Sequence, residues 1–152
     1  MAYVTQEARQ ELLDSIAEAI GEIGTALASL GTAYEQLDEQ TADRLEEELF
    51  RPVQVAYGRA QRTHADFAQR HGLPSPTFAP ASAGLPSQGV KGFLERAVEA
   101  VALAENGLAE LQDSMRPVEV GDPELRAGLA EVRGLVDPVS ERASRFVSRF
   151  GR

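Results

Sequence analysis

The sequence predicts an all-α protein: an up-down antiparallel four-helix bundle made of two helical hairpins joined by a long proline-rich loop. Three observations carry this expectation. First, Leu13, Ile16, Ile20, Ile23, Leu27, Leu30, Tyr34 and Leu37 follow one another at alternating steps of three and four, the apolar seam of a bundle or coiled-coil helix. Second, Leu94, Ala97, Val101, Ala104, Leu108, Leu111 and Met115 repeat that seam at a constant offset, from Leu13→Leu94 to Tyr34→Met115. Third, the links within each half, around Asp38–Gln40 and Arg116–Gly121, are short, and short links make antiparallel neighbours. The 152 residues fit one domain, divided into a hairpin over 5–72, a loop over 73–89 and a hairpin over 90–150.

The first helix is expected to begin with Thr5 as N-cap and Glu7 in its first turn. The second shows its apolar face in Leu45, Leu49, Val53, Ala56, Ala60, His64 and Phe67. "HGLP" ends it, with Gly72 at C′, Leu73 as the apolar contact after it and Pro74 as the stop. Pro52 has no capping residue before it and predicts a kink rather than a break. "LPSPTFAPASAGLPSQG" follows. It is longer than the ~2–8 residues usual between bundle helices, so it crosses the end of the bundle, lies along it, or carries function. Phe78 and Leu85 could pin it to the core, but the loop is expected to be structurally dispensable, so that a shorter linker in place of Ser75–Ala83 leaves stability nearly unchanged. Phe78 plugging the open end of the bundle is the alternative. Ser87 is the expected cap of the third helix. In the fourth, Asp122 and Pro123 supply N-cap and N1, and Leu125, Leu129, Val132, Val136, Val139, Ala143, Phe146 and Phe150 run in register through Pro138.

Gly21, Gly24 and Gly31 stand inside the first helix, where glycine costs ~1 kcal/mol relative to alanine. With Ala17 and Ala28 they form a stripe of small residues beside the large seam. One reading is the close approach of a neighbouring helix within the bundle. The other is a groove that receives a partner helix or a second copy.

Catalytic constellations are not evident. There is no cysteine, which removes thiol chemistry and cysteine–metal sites. The two histidines lack the Glu-x-x-His spacing of a di-iron bundle, since Gln61 precedes His64 and Ala68 precedes His71 by three. His64 reads as a histidine at the core boundary, and His71 as a favourable charge at a helix C-terminus. "SQGVKG" places Lys91 near a helix start without a phosphate-loop pattern. No metal, cofactor or catalytic residue is therefore expected. The acidic run from Glu35 to Glu48 lacks the spacing of a calcium loop; it reads as solvated surface or as a docking patch centred on Glu46 and Glu47. Arg142, Arg145 and Arg149 recur on one side of the last helix, a weak phosphate or carboxylate site.

Net charge is −9, and all of the 15 basic residues except Lys91 are arginine. That balance disfavours nucleic acid and anionic membranes as partners. With no signal peptide or apolar span evident, a cytoplasmic protein is expected. The functional expectation is a non-enzymatic interaction or scaffold protein that binds a protein partner or forms a homodimer. Its candidate contact residues are Gly21, Gly24, Gly31, Glu46, Glu47, Arg142, Arg145 and Arg149. The alternative is a binding protein for a small apolar ligand, in room left between the helices by Ala56, Ala60, Ala97 and Ala104.

Overall fold

The computed structural model describes residues 2–84 and 89–150, and among them there is no strand. The helices are α1 (Ala2–Glu35), α2 (Glu39–Leu45), a π-helical turn (Glu46–Phe50), α3 (Arg51–Arg70), α4 (Gly89–Asp113), the single turn α5 (Arg116–Glu119) and α6 (Pro123–Phe150). The chain is all-α, and its helices pack as a bundle. α1 lies against α3 and α4, and α6 lies against the same two, while the diagonal pairs do not meet among the described residues. The core is closed by residues such as Leu13, Ile16, Ile20, Phe67, Phe93, Leu94 and Leu125, all almost fully buried; each such side chain stabilises by roughly 1.5–3 kcal/mol.

The ends of these elements follow their sequence signals unevenly. Asp38 caps α2, accepting a hydrogen bond from the Thr41 N–H at 3.1 Å. Asp122 caps α6 through the Leu125 N–H at 2.8 Å. Gly72 takes φ +67° after α3, and the Leu73 N–H donates to the Ala68 carbonyl at 2.8 Å, the glycine-based stop expected from "HGLP". Thr5, by contrast, lies inside α1 rather than at its cap, because the helix already begins at Ala2. Its first turns are held by tertiary bonds: Gln6 Nε2 donates to the His71 carbonyl and Arg9 Nε to the Val120 carbonyl, both at 3.0 Å. Ser87 and Leu85 lie outside the described residues.

Pro52 widens its helix. Proline lacks an N–H, and its ring crowds the carbonyl four residues back. The turn before it opens to five-residue hydrogen bonding, with the Arg51 N–H donating to the Glu46 carbonyl. Pro138 stands inside α6 on an exposed position, and the helix runs through it.

The apolar seam of α1 is rotated from its expected line. Tyr34 is exposed and Leu27 only half-buried, whereas Leu12, Ala19, Ala26 and Ala33 are buried at seven-residue intervals. These residues lie on the flank facing α4, the opposite flank from Gly24 and Gly31. Small side chains bring two helix axes close, so they take the interior and push larger ones to the margin. Met115, expected to end the seam of α4, is 50% exposed and adopts φ 68° just after the helix has stopped at Asp113. Pro117, two residues on, forces the chain to turn and start α5.

Specific contacts fix the helix directions. Arg70, at the end of α3, pairs with Asp122 at the start of α6, and Arg116, after α4, pairs with Glu11 near the start of α1. The end of α4 therefore sits beside the beginning of α1. A strict up-down order would place the beginning of α4 there, so the segment after Gly72 runs along the bundle and not across its end. Leu73, Phe78 and Ala83 pack on the core along the way. The loop expected to be dispensable is thus partly a core element.

Candidate functional site

Of the three glycines singled out from the sequence, only Gly21 is exposed. A Cβ at Gly24 would lie 3.1 Å from Tyr57 Cε1, and one at Gly31 would lie 3.7 Å from Phe50 Cε2. The Tyr57 ring from α3 packs tightly over Gly24, which is buried, whereas Phe50 from the π turn touches only one side of Gly31, which stays half-buried. The cause is tertiary: the small residues admit a ring instead of a backbone. A Cβ at Gly21 would meet nothing within 4 Å.

Gly21 instead borders a groove of about 540 Å³ between α1 and α4. Its counterpart on α4 is Gly107, where a Cβ would also meet nothing within 4 Å. Between these glycines the floor is Ala19 and Leu111, both 5% exposed. Leu103 stands on the rim, 49% exposed. Glu18 and Glu22, one helical turn apart on α1, form one bank, and Glu110 stands on the other. None of the three carboxylates makes an ion pair among the described residues. At one end Arg116 forms an exposed ion pair with Glu11 at 3.3 Å. The groove exists because two glycines and an alanine face each other where larger side chains would have filled the valley. A row of unpaired carboxylates over an apolar floor can hold a cationic, partly apolar segment.

Gly107, Glu110 and Leu103 escaped the sequence reading. Gly107 carried the available signal, as a glycine inside α4 but off its seam, with the same helix cost as Gly21.

The three arginines also come together, though with a different acidic neighbour. Arg142, Arg145 and Arg149 share a cleft of about 220 Å³ with Phe146 and with Glu48 from the π turn. Glu46 and Glu47 lie outside it; Glu46 is half-buried and Glu47 exposed. Arg145 is also within 4.0 Å of Glu141.

The two histidines meet structural partners. His71 Nε2 is 3.1 Å from Asp122 Oδ2. Arg70 grips the same carboxylate with two hydrogen bonds of 2.9 Å and reaches Glu124 at 3.0 Å. Burial pushes the Asp122 carboxyl up, but the bonds from Arg70, the Leu125 N–H and His71 outweigh it and bring the pKa down to about 2. This cluster ties the end of α3 to the start of α6. His64 is 3% exposed, and its Nδ1 has no hydrogen-bond partner among the described residues. Phe78 meets the imidazole edge-on at 5.2 Å. Burial lowers the His64 pKa, opposed by the Leu13 carbonyl and the charge of Asp14.

Among the described residues no group of three or more His, Asp or Glu side chains is placed to hold a metal ion, and no helix is long and apolar enough to cross a membrane. Ala56, Ala60, Ala97 and Ala104 are 0–4% exposed inside the core, and neither the groove nor the arginine cleft reaches them. No protein-family model, no curated protein and no solved structure matches this chain.

Proposed function

We propose that this protein is a non-enzymatic interaction module: a four-helix bundle with one lengthwise crossover that docks a helical segment of another protein in the α1–α4 groove. The observation that carries this reading is the unfilled valley over Gly21 and Gly107, with Leu103 half-exposed on its rim. A half-exposed leucine beside a concave apolar floor suits the helix-in-groove mode of recognition. In that mode the docked helix supplies the side chains that the two glycines lack.

Site-specific photo-cross-linking in the host cell tests the reading. A photoreactive side chain at Leu103 should give a discrete protein adduct, absent when the same group stands at Glu131 on α6. Gly107→Trp, which fills the groove, should abolish the adduct. An adduct that persists in Gly107→Trp, or none at all, would remove the groove from the function.

A further inference from the structure

We infer that the occupant of the α1–α4 groove is a cationic amphipathic helix, one that carries lysine or arginine on both sides of a narrow apolar stripe. The inference rests on the groove being the docking face and adds the chemistry of the partner.

Charge complementarity carries it. Glu18 and Glu22 stand on one bank and Glu110 on the other, and none of the three makes an ion pair among the described residues. Some carboxylates elsewhere are matched, as Glu131 to Arg59, Asp122 and Glu124 to Arg70, and Glu11 to Arg116. Others, such as Asp43 and Glu47, are exposed and make no ion pair among the described residues. What distinguishes Glu18, Glu22 and Glu110 is that they flank one concave floor of Ala19 and Leu111 from both sides. Arg116, the one cation among the lining residues, is paired with Glu11 and is outnumbered by the three carboxylates. An acidic segment would meet three carboxylates and the field of a chain with net charge −9. A basic helix would set its apolar stripe on Ala19, Leu111 and Leu103, and its long cationic side chains would reach out to both banks. The α1 wall, Ser15 to Glu22, spans about 10 Å, or two turns of a docked helix.

A second copy of this chain suits the groove less well. Its clustered cations, Arg142, Arg145 and Arg149, border a cleft that already contains Glu48 and Phe146.

The test uses the full-length, isotope-labelled protein and three model amphipathic peptides with the same leucine stripe, flanked by lysine, glutamine or glutamate. The leucine/lysine peptide should shift the amides of Ser15–Glu22 and Leu103–Ser114. Its affinity should fall about tenfold from low to high salt, and by a similar factor in the triple variant Glu18→Gln/Glu22→Gln/Glu110→Gln. These exposed or half-exposed positions should leave the melting temperature nearly unchanged, which is measured alongside. If the glutamine peptide binds the groove as tightly, or the lysine peptide is insensitive to the triple variant, the groove stands and its cationic partner is overturned. If no peptide shifts the groove, or the lysine peptide binds Gly107→Trp equally well, the docking reading itself fails. Shifts at the groove that grow with protein concentration alone would identify a second copy as the occupant and overturn the inference.

Discussion

The ring of Tyr57 lies across Gly24, its Cε1 only 3.1 Å from where a β-carbon would stand. Seven residues on, Phe50 approaches Gly31 more loosely, one ring carbon lying 3.7 Å from where a β-carbon would stand. A helix that accepts two interior glycines gives up helix propensity, and here it gains two aromatic contacts with the next helix. Gly21 has no such cover, and the difference separates a packing glycine from a surface one.

Gly24→Leu should destabilise by ~1–3 kcal/mol through overpacking against Tyr57. Gly24→Ala should change stability little, because the gain in propensity offsets a ring displacement of a few tenths of an ångström. Gly21→Ala should instead stabilise by ~0.5–1 kcal/mol, since the new methyl meets open space. Chemical denaturation of the three variants checks the order.

Gly128 of α6 packs directly against Thr63 of α3. A β-carbon there would lie 2.8 Å from Thr63 Cγ2 and nearer still to Oγ1. Thr63 is buried, and its hydroxyl donates to the Arg59 carbonyl at 2.8 Å, so it cannot easily turn away. Gly128→Ala should cost about 1–3 kcal/mol. Adding Thr63→Ala should recover much of that loss, a coupling that a double-mutant cycle measures.

The Asp122 cluster should make stability fall in acid. Its folded pKa of about 2, against an ordinary value of 3.8, corresponds to about 2 kcal/mol. The depressed value means that this stability is complete above about pH 4 and is lost as pH falls through about 2. Asp122→Asn keeps a capping oxygen but loses the charge facing Arg70. The gap between wild type and variant should be widest near neutral pH and should close across that window in denaturation curves.

Phe78 reports on the long loop. Its ring is half-buried, so Phe78→Ala should cost about 1–2 kcal/mol, less than the ~3–5 of a fully buried phenylalanine. It should also admit water to His64 and raise the imidazole pKa back toward 6.5. In the wild type the lowered pKa makes the unfolded chain bind the proton first, so stability declines as pH drops below 6.5. An NMR titration of His64 in both proteins checks the shift, and an unchanged midpoint in Phe78→Ala would show that the ring does not seal it.

By itself the sequence determined the all-α class, the positions of the long helices and several of their ends, because these follow from local rules. Apolar periodicity placed the seams, and Asp122 with Pro123, and Gly72 with Leu73, act through bonds to their own neighbours in the chain. The Asp38 cap is equally local, but the sequence reading takes it only as part of a short link. The tertiary structure decided whatever depended on two segments at once. Only packing could show that Tyr57 covers Gly24 and Phe50 approaches Gly31 while Gly21 faces Gly107 across a groove. Only packing could turn the alanines of α1 toward α4, or bring Glu48, and not Glu46 or Glu47, to the arginines of α6. The direction of α4 belongs here too: the seams fit either direction, and the chain after Gly72 is long enough for both. Glu11 beside Arg116 shows which was taken, because a pattern of apolar residues has no polarity until another helix lies against it.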